Sequence, residues 1–179
     1  MNRMIILATA AALAAGSAPA GAALDTGTKA PDFTTTGALA GKPFRLHLKQ
    51  QLRRGPVVLY FFPKAFTKGC TLEAHAFSEA AAEFRKLGAT VVGLSADDYE
   101  TLRRFSVEEC RNSFPVAMAS SSTIRDYDVR FKSGAALTNR TSYVIAPDGR
   151  ILSAYSDLDW KNHVATTLAA VRAWHAKRR

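Results

Sequence analysis

Two thiols, Cys70 and Cys110, stand among 179 residues, and they are the side chains with the most distinctive chemistry in the chain. Two cysteines are too few for a disulfide-rich scaffold, a four-cysteine zinc site or a cysteine-ligated iron–sulfur cluster. They suffice for one disulfide, the default in an oxidising compartment, or for a nucleophile. Cys70 follows Gly69, where the polar turn Pro63 to Gly69 gives way to Leu72, Ala76, Phe77, Ala80, Phe84 and Leu87 at helical spacing. A helix N-terminus offers unpaired N–H groups and the positive end of the macrodipole, which favour an anion such as a thiolate. A free thiol is only about 3% ionised at neutral pH. A helix end alone is too weak to reverse that, so a second positive group is required.

The elements around this helix follow a regular order. Val57 to Phe62 is a continuous apolar run between Gly55-Pro56 and Pro63, which suits a strand covered on both faces. Ala89 to Leu94 repeats that character. Asp97-Asp98 can then cap a helix from about Tyr99 to Cys110. Strand, helix, strand, helix signals βαβ winding. Upstream, Phe44 to Leu48 alternates and predicts a hairpin or edge element turning at Gly37 to Gly41. Downstream, Val116 to Ala119 reads as a strand and Thr123 to Tyr127 as a short helix. Thr141 to Ile145 and Ile151 to Tyr155 flank the turn Pro147-Asp148-Gly149. A helix from about Trp160 to Lys177 closes the chain, with Val164, Leu168, Val171 and Trp174 on one face. The expected fold class is α/β, a central mixed sheet with helices on both faces.

The composition, 47% hydrophobic and 22% charged, is that of an ordinary globular protein. Seven prolines and eleven glycines are too few for a long low-complexity linker, so residues 24–179 are expected to form one domain. Residues 1–23 read as a cleaved signal peptide. Arg3 precedes the apolar run Met4 to Ala15, 12 residues where a bilayer span needs about 20. Ala18, Ala20, Ala22 and Ala23 then offer cleavage sites, the expected one near Ala22 or Ala23. Losing this segment with Arg3, its one charged residue, lowers the formal charge from +9 to +8. A periplasmic or secreted protein without stable membrane insertion is expected. The basic residues are dispersed as Arg53-Arg54, Arg103-Arg104 and Lys177 to Arg179, a solvated surface and not a nucleic-acid site.

The run Pro63-Lys64-Ala65-Phe66-Thr67-Lys68-Gly69-Cys70 resembles the P-x-x-x-T/S-x-x-C motif of peroxiredoxins. Gly27 to Phe33 is similar to the family's opening segment, Val57 to Phe62 to its strand before the motif, and Arg140 to Ile145 to its arginine-bearing strand. Cys70-Thr71-Leu72-Glu73-Ala74 looks most like the Q-type, or bacterioferritin comigratory, members. The resemblance implies a thioredoxin-like fold and a thiol-dependent peroxidase with antioxidant activity, its substrate a hydroperoxide and its reductant thioredoxin-like or another thiol. Cys70 would be the peroxidatic cysteine, forming a sulfenic acid. Thr67 would orient the peroxide, Arg140 would supply the missing positive charge, Pro63 would shield the site, and Glu73 would hold the threonine or arginine in place. No cofactor or metal is implied, since sulfur carries the oxidation.

Singly, Thr67 is an ordinary N-cap, Pro63 a strand terminator and Arg140 a surface arginine; together they carry the resemblance. Many Q-type members have a second cysteine five residues after the first, where this chain has His75. Five helical residues turn about 140°, so His75 is read as a partly exposed structural histidine. Cys110 is expected to resolve the sulfenic acid as an intrachain disulfide. The alternatives are a one-cysteine peroxidase or redox sensor, a permanent disulfide, a thioredoxin-like disulfide oxidoreductase, and a copper carrier using Cys70, Cys110, His75 and His163.

Overall fold

The computed structural model describes residues 23–131 and 137–178. The expected signal peptide lies outside the described residues, apart from Ala23. Among the described residues, seven strands form one mixed sheet in the order β2-β1-β5-β4-β3-β6-β7. These are β1 (Thr34–Leu39), β2 (Lys42–His47), β3 (Val57–Phe61), β4 (Thr90–Ser95), β5 (Val116–Met118), β6 (Thr141–Ile145) and β7 (Ile151–Ser156). The three strands β3, β4 and β5 run parallel, linked by α2 (Lys68–Lys86) and α3 (Tyr99–Glu108), which is the winding expected. Strand β6 returns antiparallel beside β3, pairing Thr141 with Phe61, and β7 follows it as a hairpin.

Strand β3 divides the core. Val58, Tyr60 and Phe62 point into one cluster with Phe77 and Phe84 of α2, Leu102 and Phe105 of α3, and Leu168 and Val171 of α5 (His163–Ala176). Val57, Leu59 and Phe61 point into the other, with Leu48 and Leu52 of α1 (Leu48–Leu52) and Ile124 of α4 (Ser121–Asp126). Alternate residues of a strand face opposite ways, and apolar side chains on both faces hold β3 between two helical layers. Among the described residues, no helix is long and apolar enough to cross a membrane.

Four local expectations are corrected. The hairpin turns at Ala40 and Gly41, both left-handed (φ 52° and 72°), the geometry of a two-residue hairpin turn; Gly37 lies inside β1, opposite Ala117 of β5. Leu72 is exposed; the inward face of α2 is Cys70, Glu73, Ala74, Phe77, Ala81 and Phe84, so a glutamate occupies a position that apolar periodicity cannot reveal. Only Asp98 caps α3, accepting from the Thr101 N–H, because Asp97 is engaged elsewhere. Cys110 lies beyond α3, not at its last residue. Its N–H bonds the Phe105 carbonyl five residues back, and Arg111 and Asn112 at φ 50° and 59° turn the chain away.

Tyr60 stacks on Phe77 at 4.3 Å and on Phe62 at 5.5 Å between ring centroids. A Cβ at Gly93 of β4 would stand 2.8 Å from the Tyr60 hydroxyl and ring. With Tyr60 fully buried, the ring has no room to yield. Gly93→Ala is expected to destabilise the fold by about 1–3 kcal/mol, read as a lowered denaturant midpoint at unchanged slope; an unaltered midpoint would show that the ring does yield.

Candidate active site

The turn before α2 is fixed by three contacts. The Ala65 N–H donates to Asp97 Oδ2 at 2.8 Å, and Ser95 Oγ at the end of β4 donates to the same oxygen at 2.8 Å. Phe66 takes a left-handed φ of 62° and sets its ring edge-on against Phe105 at 5.2 Å. Such a conformation in a bulky residue persists only where its surroundings impose it. Thr67 is the extended N-cap residue, as its position suggested, but its side chain caps nothing; its hydroxyl donates to the Lys64 carbonyl at 2.9 Å. That leaves the oxygen free to accept, on an exposed surface. Pro63 is half-buried at the start of the turn.

Cys70 is the third residue of α2 and is 1% exposed. Its polar neighbour is Arg140, which ends the segment leading into β6 and is 4% exposed. The guanidinium uses all three nitrogens. Nε donates to the Leu158 carbonyl at 2.9 Å, one terminal nitrogen donates to Glu73 Oε2, and the other lies 3.5 Å from Cys70 Sγ. Glu73 is fully buried one helical turn after Cys70, so both acids face the same cation. Gly69 leaves the room: a Cβ there would stand 3.1 Å from the Arg140 nitrogen that reaches the sulfur.

The electrostatics follow from burial. Desolvation pushes the Glu73 carboxyl up to about 8, outweighing the opposing pull of Arg140. Among the described residues, Oε1 of Glu73 has no hydrogen-bond partner, as fits a carboxyl that gains little from being charged. One buried cation therefore stands between two acids. With the proton kept on Glu73, the positive charge is left for the sulfur. Sequence spacing brought Cys70, Thr67, Pro63 and Glu73 together, and the β3–β6 pairing adds Arg140 from 70 residues away.

Cys110 is also buried, at 0% exposure, and both thiols are free. Burial pushes its thiol well above the ordinary value and the Glu109 carboxylate adds to this, with the Tyr60 hydroxyl pulling the other way. His75 pairs with Glu109 at 2.8 Å and is partly exposed, the structural role expected of it. His163 lies on the far side of Glu73, with Nδ1 3.7 Å from Oε1. Among the described residues, no three His, Cys, Asp or Glu side chains are placed to hold a metal. Sequence reasoning missed Asp97 as the anchor of the active turn, the Leu158 carbonyl and the supporting place of His163. A second acid beside a helix cap was the one available signal for Asp97; a backbone carbonyl carries none.

The AhpC/TSA family matches residues 26–154. Peroxiredoxin Q of Arabidopsis thaliana chloroplasts is 32% identical over 156 residues, covering 85% of this chain and 69% of that protein. Peroxiredoxin Bcp of Xanthomonas campestris is 30% identical over 127 residues, covering 68% and 78%. The crystal structure of the Mycobacterium tuberculosis peroxidoxin BcpB superposes with a TM-score of 0.72 at 34% identity, covering 83% of this chain and 96% of that one.

The Glu73 carboxyl generates a pH test. Its folded value of about 8 lies above the ordinary 4.5, so the folded protein holds a proton that the unfolded chain releases between these values. The stabilisation is complete below about pH 4.5 and is lost as pH rises through about 8, at up to about 1.4 kcal/mol per pH unit. Glu73→Gln keeps the shape without the ionisation, and its unfolding free energy should fall less between about pH 5 and pH 8 than that of the parent. Parallel pH profiles in denaturant titrations would assign Glu73 the same ionisation in both states.

Proposed function

The chain belongs to the AhpC/TSA family and is a thiol-dependent peroxidase of thioredoxin-like fold, and we propose that Cys70 is its peroxidatic residue. The observation that carries this reading is the Arg140 guanidinium, buried and braced by Glu73 and the Leu158 carbonyl, with one donor on the Cys70 sulfur. The thiolate attacks the terminal oxygen of a hydroperoxide. The S–O bond forms as the O–O bond breaks, sulfur gives up two electrons, and the departing alkoxide or hydroxide takes a proton to leave as alcohol or water. Arg140 can follow charge from sulfur to the peroxide oxygens because its donors form a rigid fork. Thr67, whose hydroxyl already donates to Lys64, accepts the peroxide O–H in this reading.

Cys110 is proposed as the resolving residue. Its thiolate displaces the hydroxyl of the sulfenic acid, which leaves as water once protonated, and an external dithiol of the thioredoxin kind returns the disulfide to two thiols. Its complete burial and raised thiol favour the second reading, a one-cysteine cycle completed by an external thiol. The site of action is proposed from the leader alone: export, with the mature chain beginning near Ala22 or Ala23.

Two measurements test these roles. Cys70→Ser should abolish peroxide consumption in a coupled thiol-reductant assay while the far-ultraviolet spectrum stays that of the parent; turnover by this variant would remove Cys70 from the mechanism. Peptide mass spectrometry after one equivalent of peroxide should find Cys70 joined to Cys110 within one chain, reversed by a dithiol. In Cys110→Ser, oxidised Cys70 should accumulate as sulfenic or higher acids. An oxidised Cys70 beside a free Cys110 in the parent would establish the one-cysteine cycle.

A further inference from the structure

His163 is the first residue of α5, is fully buried, and carries no part of the chemistry derived above. Its Nε2 lies 2.9 Å from the Asp157 carbonyl. A carbonyl only accepts, so Nε2 carries the proton and donates. Nδ1 is then bare and accepts from Ser142 Oγ at 2.8 Å. Burial supports the neutral ring, holding the imidazole down at about 4. Both nitrogens are thus used, and the ring is fixed from β6 on one side and from the β7–α5 turn on the other, with Tyr155 edge-on at 4.8 Å.

The β7–α5 turn is where this matters. Residues 157–159 are exposed, yet Leu158 supplies the carbonyl that binds Arg140 Nε. An exposed turn does not hold a carbonyl in place by packing. The Asp157 N–H reaches the Arg140 carbonyl at 3.2 Å, a contact along the backbone of the arginine itself. His163 is the buried side chain that ties the same residue to the core, and its Nδ1 edge also faces Glu73 Oε1 at 3.7 Å. Two of the three anchors of the guanidinium therefore border this one ring.

We propose that His163 is a positioning residue for peroxide reduction: its Nε2–H clamps the Asp157–Leu158 turn, so that the Leu158 carbonyl holds Arg140 with a donor on the Cys70 sulfur. The proposal rests on the reading of Cys70 as peroxidatic. Its consequence is specific to one hydrogen bond. Glutamine can present an amide N–H near the Nε2 position, whereas asparagine reaches only as far as Nδ1 and loses the donor. A packing role alone does not distinguish the two by their hydrogen-bonding ends.

The test is the second-order rate constant of reduced protein with hydrogen peroxide, per folded molecule, alongside the unfolding midpoint. His163→Asn should react about ten- to a hundredfold more slowly, the loss expected when a catalytic group shifts by the order of 1 Å. His163→Gln should stay within about threefold of the parent on the same scale. Equal rates in the parent and both His163 variants, or an equal loss in both that follows their midpoints, would overturn the proposal. If the variants do not fold, nitrogen-15 spectroscopy of the parent decides: an Nε2–H tautomer at neutral pH supports the clamp, and an Nδ1–H tautomer rejects it. A folded, reduced parent that fails to react with peroxide brings down the peroxidase reading itself, a result distinct from any ordering of the variants.

Discussion

A single buried guanidinium holds the site together. Arg140 lies in a region where desolvation of a charge costs several kcal/mol, and only good geometry with further hydrogen bonds offsets such a cost. Here the offsets are visible: Glu73 on one nitrogen, the Leu158 carbonyl on another and the Cys70 sulfur at 3.5 Å from the third. Removing one of these partners leaves a buried polar group unsatisfied, which costs about 1–3 kcal/mol and more where the group is charged. The site and the fold are therefore not separable parts. The cation that stands 3.5 Å from the sulfur is also a structural element whose loss the core would register.

The sheet supplies this arrangement through the order of its strands. The turn carrying Pro63 and Thr67 leaves the end of β3, and β6 runs back along β3 so that Thr141 pairs with Phe61. Arg140, one residue earlier, must then emerge beside the first turn of α2. The parallel neighbour β4 ends at Ser95, from where Asp97 reaches the Ala65 N–H. Three strand ends thus converge on one turn, and β3, covered on both faces, provides the rigid base from which it departs. Preorganisation of this kind places charges before substrate arrives, so little reorganisation is left for the reaction.

The strands were readable because their apolar runs end in Gly, Pro or Asp, and Cys70 was readable because a turn passes into helical spacing just before it. Peroxiredoxin resemblance added Arg140, which no local pattern singles out among the basic residues. Glu73 shows where pattern reading stops. An apolar template assigns Leu72 inward and a glutamate outward, but the helix faces a cation there, so the acid is buried and the leucine exposed. The end of α3 was misplaced for a related reason: left-handed Arg111 and Asn112 stop the helix without a glycine. His163 looked like a stray ligand because its partners are a carbonyl and a serine hydroxyl from distant segments, neither of which leaves a spacing in the sequence.

The two cysteines, equally buried, are chemically unlike. Cys70 has a cation and a helix N-terminus beside it; Cys110 has an apolar core and a neighbouring carboxylate that push its thiol up against the opposing pull of the Tyr60 hydroxyl. The order of the proposed cycle rests on this contrast in surroundings, since the thiol pushed up by burial is the poorer first nucleophile. Its segment is also tied to the helix that carries Cys70: His75 to Glu109, Ser78 to Ser113 and Glu79 to Arg111 span the gap between α2 and residues 109–113. These contacts and the bond from the Cys110 N–H to the Phe105 carbonyl hold the segment in the reduced protein. Most of these contacts are partly exposed or exposed, and exposed ion pairs contribute about 0–1 kcal/mol each. These surface ties are therefore weaker than the buried bracing of Arg140, and the segment of Cys110 is held chiefly by the packing of the cysteine itself in the core.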